Sequence, residues 1–254
     1  MRTIQLLKNL ITSLFLTLII VTGVSGQDPK AIMQRMEDNI RGDASYTEMT
    51  METVRPRYTR EISMKSWSMG DDFALILVTA PARDEGTSFL KRQNEIWNYV
   101  PNIDRTVKMP PSMMSQSWMG SDFTNDDLVR GVSTIDDFDH TLLGTETIDG
   151  VECYKIEMIP HPETPVAYEK IIRWVSKGSY LPVRVENYDD RDELVSTINF
   201  SEVKNLGGRD YPTVMEMIPH DKRGHKTIIT THKADFGINL NQNFFSQQNM
   251  RSVR

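Results

Sequence analysis

A mainly β protein, one large antiparallel sheet curled into a half-open barrel, is what the sequence predicts, and three observations predict it. About a dozen alternating or apolar segments follow one another with tight turn signals between them. Helical periodicity is nearly confined to one stretch close to the N-terminus. One mid-chain stretch is apolar yet fits neither the helical nor the strand period. A curved antiparallel sheet has a concave face that must be filled, and the helix and this stretch are the fillers the chain offers.

Residues 1–26 read as an export signal. Arg2 and Lys8 give a basic start, Leu10 to Val21 is a 12-residue run dominated by Leu and Ile, and Val24-Ser25-Gly26 offers small residues for cleavage. The apolar run is too short for a membrane span of ~20 residues. No cysteine follows it, so the exported protein is expected to be soluble, periplasmic and not itself lipidated. Cleavage would leave 228 residues and move the formal charge from −6 to −8. That acidity argues against nucleic acid or an anionic membrane as the main partner. Residues 27–254 contain no low-complexity linker and are expected to form a single domain. Cys153, the only cysteine, cannot make an internal disulfide and falls in a strand pattern as a packing residue.

Asp28-Pro29 opens a helix, with Asp as N-cap and Pro at the first helical position. Ile32, Met33, Met36 and Ile40 form one apolar stripe, and Gly42 closes the helix. Thr47–Thr53, Arg60–Met69, Phe73–Ala80, Thr87–Lys91, Ile96–Val100 and Thr106–Met109 then read as strands in a meander. Beyond the mid-chain stretch, strands are expected at His140–Leu143, Val151–Ile159, Tyr168–Val175, Pro182–Tyr188, Leu194–Phe200, Thr213–Ile218 and Thr227–Ala234. Asp149-Gly150, Lys177-Gly178, Asp189-Asp190 and Gly207-Gly208 supply turns between them.

The stretch Met109–Leu128 holds four of the 15 methionines together with Trp118 and Phe123, while Pro110-Pro111 and Gly120 deny it regular structure. Thr124-Asn125-Asp126-Asp127 near its end reads as the capped start of a short helix. Methionine repacks against many shapes and is over-used where binding is loose and apolar. Two readings stand: a loop capping its own core, or a mobile cover through Met113, Met114, Trp118, Met119 and Phe123 over a cavity for long apolar guests.

Enzyme motifs are absent: there is no G-x-S-x-G, H-E-x-x-H, C-x-x-C, P-loop or G-x-G-x-x-G. His220 and His225 flank a polar turn, and Asp136-Asp137-Phe138-Asp139-His140 reads as a solvated turn rather than a cation site. No catalytic residue, metal ligand or cofactor is expected.

The order of these features, with Trp118-Met-Gly-Ser-Asp-Phe-Thr-Asn-Asp-Asp-Leu128, Asp149-Gly-Val-Glu-Cys-Tyr-Lys-Ile-Glu157 and Leu181-Pro-Val-Arg-Val-Glu-Asn-Tyr-Asp189, resembles the LolA-like family of bacterial outer-membrane lipoprotein-sorting proteins. The resemblance covers essentially all of residues 27–254. It implies a half-open barrel of roughly eleven strands with helices and loops as a lid over an apolar cavity. It also implies a monomeric carrier of lipoprotein acyl chains or lipid, working between an inner-membrane transporter of the resistance–nodulation–division or ABC type and an outer-membrane acceptor. The alternative is a sensor or accessory protein of the same fold that binds lipid and regulates a membrane protein. Met33, Met36, Ile40, Met113, Met114, Trp118, Met119 and Phe123 are the expected cavity and lid residues. Carriers of this family hold the lid with a cavity arginine, a role to which no arginine of this chain is assigned from sequence.

Overall fold

The computed structural model describes residues 27–254 apart from 131–134, 163, 165 and 167; the expected export signal lies outside the described residues. Helix α1 spans Pro29–Ile40. The Asp28 carboxylate accepts the Lys30 N–H at 3.0 Å, and Arg41 N–H closes the last turn on the Glu37 carbonyl. Gly42 follows at φ +61°, the left-handed position that ends a helix most cheaply with glycine.

Thirteen strands follow: β1 (Ala44–Arg55), β2 (Tyr58–Met69), β3 (Phe73–Ala80), β4 (Ser88–Arg92), β5 (Glu95–Val100), β6 (Arg105–Lys108), β7 (Phe138–Ile148), β8 (Val151–Pro160), β9 (Lys170–Ser176), β10 (Pro182–Tyr188), β11 (Leu194–Leu206), β12 (Arg209–Pro219) and β13 (Lys226–Phe236). They form one open antiparallel sheet, ordered β6-β5-β4-β3-β2-β1-β13-β12-β11-β10-β9-β8-β7. The count agrees with the thirteen strand segments read from the residues and exceeds the eleven implied by the resemblance. Helix α2 (Gln247–Ser252), which the sequence reading does not anticipate, ends the chain.

The topology explains the mid-chain stretch. β1 starts at the centre of the sheet, the first meander runs out to one edge at β6, and the second runs from the opposite edge at β7 back to the centre, where β13 pairs with β1 from Ser45↔Phe236 to Val54↔Lys226. The link from β6 to β7 must therefore cross a whole face. Twelve strand spacings of ~4.8 Å make roughly 58 Å when flat, and curvature shortens that path. A crossing over the concave face cannot avoid burial, which is why its side chains are apolar. Register shifts at Glu48/Met49, Ser63/Met64 and Leu142/Gly144 mark bulges, which bend strands and raise their twist.

The second face of the first meander is covered as well. Phe73, Leu75, Leu90 and Trp97 pack under Phe245 and Met250 of the C-terminal segment, with Phe73 and Phe245 rings 5.5 Å apart. β3 is thus buried on both sides, which accounts for its nearly unbroken apolar sequence where neighbouring strands alternate. At the β11–β12 turn, a Cβ on Gly207 would lie 2.5 Å from the Ala234 carbonyl oxygen, so the close approach there requires glycine.

Candidate functional site: an apolar cavity between two covers

Two clusters fill the concave face. Over the first meander and β12–β13, the crossover places Met109, Met114, Trp118 and Phe123 against Met51, Ile62, Met64, Ile76, Val78 and Phe89, with Met113 and Met119 partly buried against them. Over the second meander, α1 places Ile32, Met33 and Met36 against Tyr154, Ile156, Met158, Ile171, Val175 and Val185. Between the covers lies a cavity of two adjoining lobes. One, about 150 Å³, is lined by Met49, Met64, Ile76 and Ile229. The other, about 330 Å³, is lined by Ile171, Val185 and Ile198 and by the Phe123 ring. Ile40, Leu128, Pro182, Phe200, Tyr211 and Met215 border both lobes. A larger cleft of about 550 Å³ opens beside α2, but Lys65, Glu85, Arg251 and Arg254 line it, and it lies outside the two covers. For an apolar guest the smaller, oilier cavity is the better candidate.

Of the eight residues expected at the site, the structure puts Ile40 and Phe123 on the cavity wall. Met33 and Met36 belong to the cluster beneath α1, and Met113, Met114, Trp118 and Met119 to the cluster beneath the crossover. Sequence reasoning missed the strand-borne part of the wall, including the inward positions of β10–β12. They are ordinary strand residues that become a site only through the curvature of the sheet.

The polar groups of the cavity are unevenly paired. Arg173 on β9 shares the inward parity of Ile171 and Val175, and its Nη1 lies 3.6 Å from Glu37 Oε1 of α1 and 3.8 Å from Met36 Sδ. Its Nε is buried without a hydrogen-bond partner. Burial pulls the guanidinium below its usual range, and Glu37 opposes that shift. Arg173 is an arginine of the cavity wall that the sequence reading did not name, and its signal was present: an arginine in phase with inward apolar residues.

Where a capped short helix is expected, the chain forms a wide helical turn at Asp126–Arg130. Asp127 Oδ2 accepts the Thr124 N–H and hydroxyl, each at 2.8 Å, and Thr124 Oγ1 accepts the Asp127 N–H at 3.1 Å. Burial nonetheless pushes the Asp127 carboxyl up, outweighing those hydrogen bonds.

The crossover is anchored by groups the sequence reading did not single out. Arg55 Nη1 meets Asp122 Oδ2 at 2.8 Å, with the two side chains 10% and 2% exposed. Thr227 Oγ1 donates to the same carboxylate at 2.7 Å, and Arg55 Nη2 donates to the Gly120 carbonyl at 2.8 Å. Arg60 donates to the Met119 carbonyl and to Asp84, each at 2.8 Å. These contacts hold Met119 at φ +48°, a conformation non-glycine residues rarely adopt.

A family model described as an uncharacterized protein matches residues 70–252. The chain belongs to that family, and its fold is LolA-like. Comparison with curated proteins finds no match. Among solved structures, this LolA-like chain is similar to a DUF1329 family protein from Desulfovibrio piger, at 26% identity and TM-score 0.80, over 88% of this chain and 99% of that one. A domain assigned as an outer membrane lipoprotein-sorting protein, from Vibrio parahaemolyticus, is 25% identical at TM-score 0.78, over 88% and 98%. A LolA superfamily protein from Nitrosomonas europaea shares the fold at 21% identity and TM-score 0.75, over 87% and 98%.

Proposed function

We propose that the protein is a periplasmic carrier that takes acyl chains of lipoproteins or free lipid into the cavity between α1 and the crossover. The observation that carries this reading is the cavity itself. It is apolar, it sits on the concave face of a LolA-like sheet, and one residue from each cover, Ile40 and Leu128, borders both of its lobes. The lipoprotein-sorting assignment of the Vibrio relative supports the same reading. Among the described residues no helix is long and apolar enough to cross a membrane.

Energetics support α1 as the part that moves. Lifting it exposes Ile32, Met33 and Met36, roughly 2 kcal/mol each. An entering acyl chain contributes about 0.8 kcal/mol per buried CH₂, so about eight methylenes offset the opening. Arg173 then serves the carrier twice: it ties α1 through Glu37 when the cavity is closed, and it offers a donor to an ester, amide or phosphate oxygen when α1 lifts. Delivery would run from an inner-membrane transporter of the RND or ABC type to an outer-membrane acceptor.

Native mass spectrometry of the protein purified from its own periplasm tests the reading. A co-purifying lipid or lipidated protein is expected, and Met215→Trp, which fills the wall shared by both lobes, should release it with little change in melting temperature. Purification without any acyl-bearing species, together with failure to bind long-chain lipid in vitro, would overturn the proposal.

A further inference from the structure

One carboxylate of the cavity does more than its structural task requires. Asp127 lines the larger lobe, together with Asp126, Tyr168 and Asn187. Both side-chain bonds that it accepts from Thr124 fall on Oδ2, and Oδ1 has no partner among the described residues. Holding the turn does not need a charge, because an asparagine oxygen would accept the same two bonds.

A carboxylate taken out of water either meets a cation or is driven towards its neutral form. Among the described residues no cation acts on Asp127. Burial pushes its carboxyl up, neighbouring Asp126 adds to that shift, and only the Thr124 bonds oppose it. The cations of the same lobe are occupied elsewhere: Arg41 lies 3.1 Å from Glu37 and Arg173 lies 3.6 Å from it. The charges acting on Arg173 are those of Glu37 and Arg41, not that of Asp127. Other groups of the lobe are apolar or neutral. Ile171, Val185, Ile198, Phe200 and Met215 line it, and burial, then Asp127, keep the Tyr168 hydroxyl un-ionised. An acyl chain on those apolar residues would therefore bring its head group to a carboxylate that the protein leaves without a counter-charge.

We propose that Asp127 is the head-group subsite of the cavity and accepts a primary ammonium through Oδ1, so that the cargo is an acyl-bearing amine. This rests on the carrier reading above and narrows its substrate class. A charge-assisted N–H···O bond shielded from water is about twice as strong as a neutral one, which gives the site its preference. Two sources carry the required chemistry, an aminophospholipid and a lipidated N-terminal cysteine with a free α-amine.

Titration calorimetry at neutral pH with dodecylamine and dodecanol, which share one chain, tests the subsite. The amine should bind at least tenfold tighter. Asp127→Asn should bring the amine to the level of the alcohol, while alcohol binding and melting temperature are retained. Two further arms assign the source: phosphatidylethanolamine against its N-acetyl derivative, and a diacylglyceryl-cysteine peptide with a free amine against the same peptide N-acetylated. A loss of at least tenfold on acetylation marks the cargo. Equal binding of amine and alcohol, an amine preference that survives Asp127→Asn, or indifference of both lipids to acetylation would overturn the subsite and leave the carrier reading standing. Failure of every long-chain compound to bind would overturn both.

Discussion

The crossover and helix α1 cover neighbouring halves of one concave face, both by burying methionines, and they differ in how their polar groups are held. The crossover is pinned by a nearly dry ion pair, Arg55–Asp122, supported by Thr227, and by two arginine bonds to its own carbonyls. On α1 the inward pair, Glu37–Arg173, sits at 3.6 Å, beyond hydrogen-bond distance. Among the other ties of α1, Arg209 to the Asp38 carbonyl, Asn39 to the Ser179 carbonyl and Lys30 to Asp136 lie at the surface. Surface ties of this kind are worth little. Methionine content alone therefore does not mark a moving part. Under the proposed carrier function, the crossover would serve as a strap that completes the core, and α1 would be the cover that ligand energy displaces.

The largest expected effect separates the two at once. Asp122→Ala leaves Arg55 as an uncompensated buried cation and should cost about 3–5 kcal/mol, read as a fall in denaturation midpoint. Glu37→Gln should cost under about 1 kcal/mol, because Arg173 keeps an acceptor within reach. Equal losses would mean that both covers are structural. Truncations extend the contrast. Trp118→Ala, removing a side chain of 0% exposure packed 5.3 Å from Phe89, should cost about 3–5 kcal/mol without selectively impairing lipid uptake. Met36→Ala should cost about 2–3 kcal/mol and also speed lipid entry, measured by stopped-flow fluorescence.

Hydrogen exchange reads the same comparison without mutation. Amides of α1 should open at lower free energy than those of residues 113–123, and added lipid should change exchange in α1 while leaving the crossover as it was. Protection that changes in the crossover instead would restore the mobile-cover reading of its methionines.

What was legible in the sequence follows this division. Strand alternation and turn residues specified the sheet because burial on one face writes period 2 directly into the chain. The Asp28 cap, Pro29 and the Ile32–Met36 stripe specified α1 by local rules alone. The crossover was recognised as anomalous, but its role depends on β6 and β7 lying at opposite edges, which no local pattern encodes. Arg55, Arg60 and Asp122 look like ordinary surface charges until the fold brings Asp122 within reach of β1 and β13. Helix α2 escaped because six residues carry too little periodicity to register.

The smallest expected effect tests the turn that joins the crossover to the cavity wall. Burial holds the folded Asp127 pKa above its unfolded value of ~3.9. The folded state therefore binds this proton more tightly than the unfolded chain. The resulting stabilisation is complete below the unfolded pKa and is lost as pH rises through the folded one, at up to about 1.4 kcal/mol per pH unit across that window. Asp127→Asn keeps an oxygen that can accept the Thr124 N–H and hydroxyl but does not titrate. Its stability–pH curve should be flatter than that of the native protein from pH 4 upward, and at neutral pH it should equal or exceed native stability by about 1 kcal/mol. The slopes come from urea midpoints measured at several pH values. Parallel slopes would show that Asp127 ionises inside the fold without penalty, which would require the cavity mouth to be wet at the turn and would make the crossover looser there than its Asp122 anchor implies.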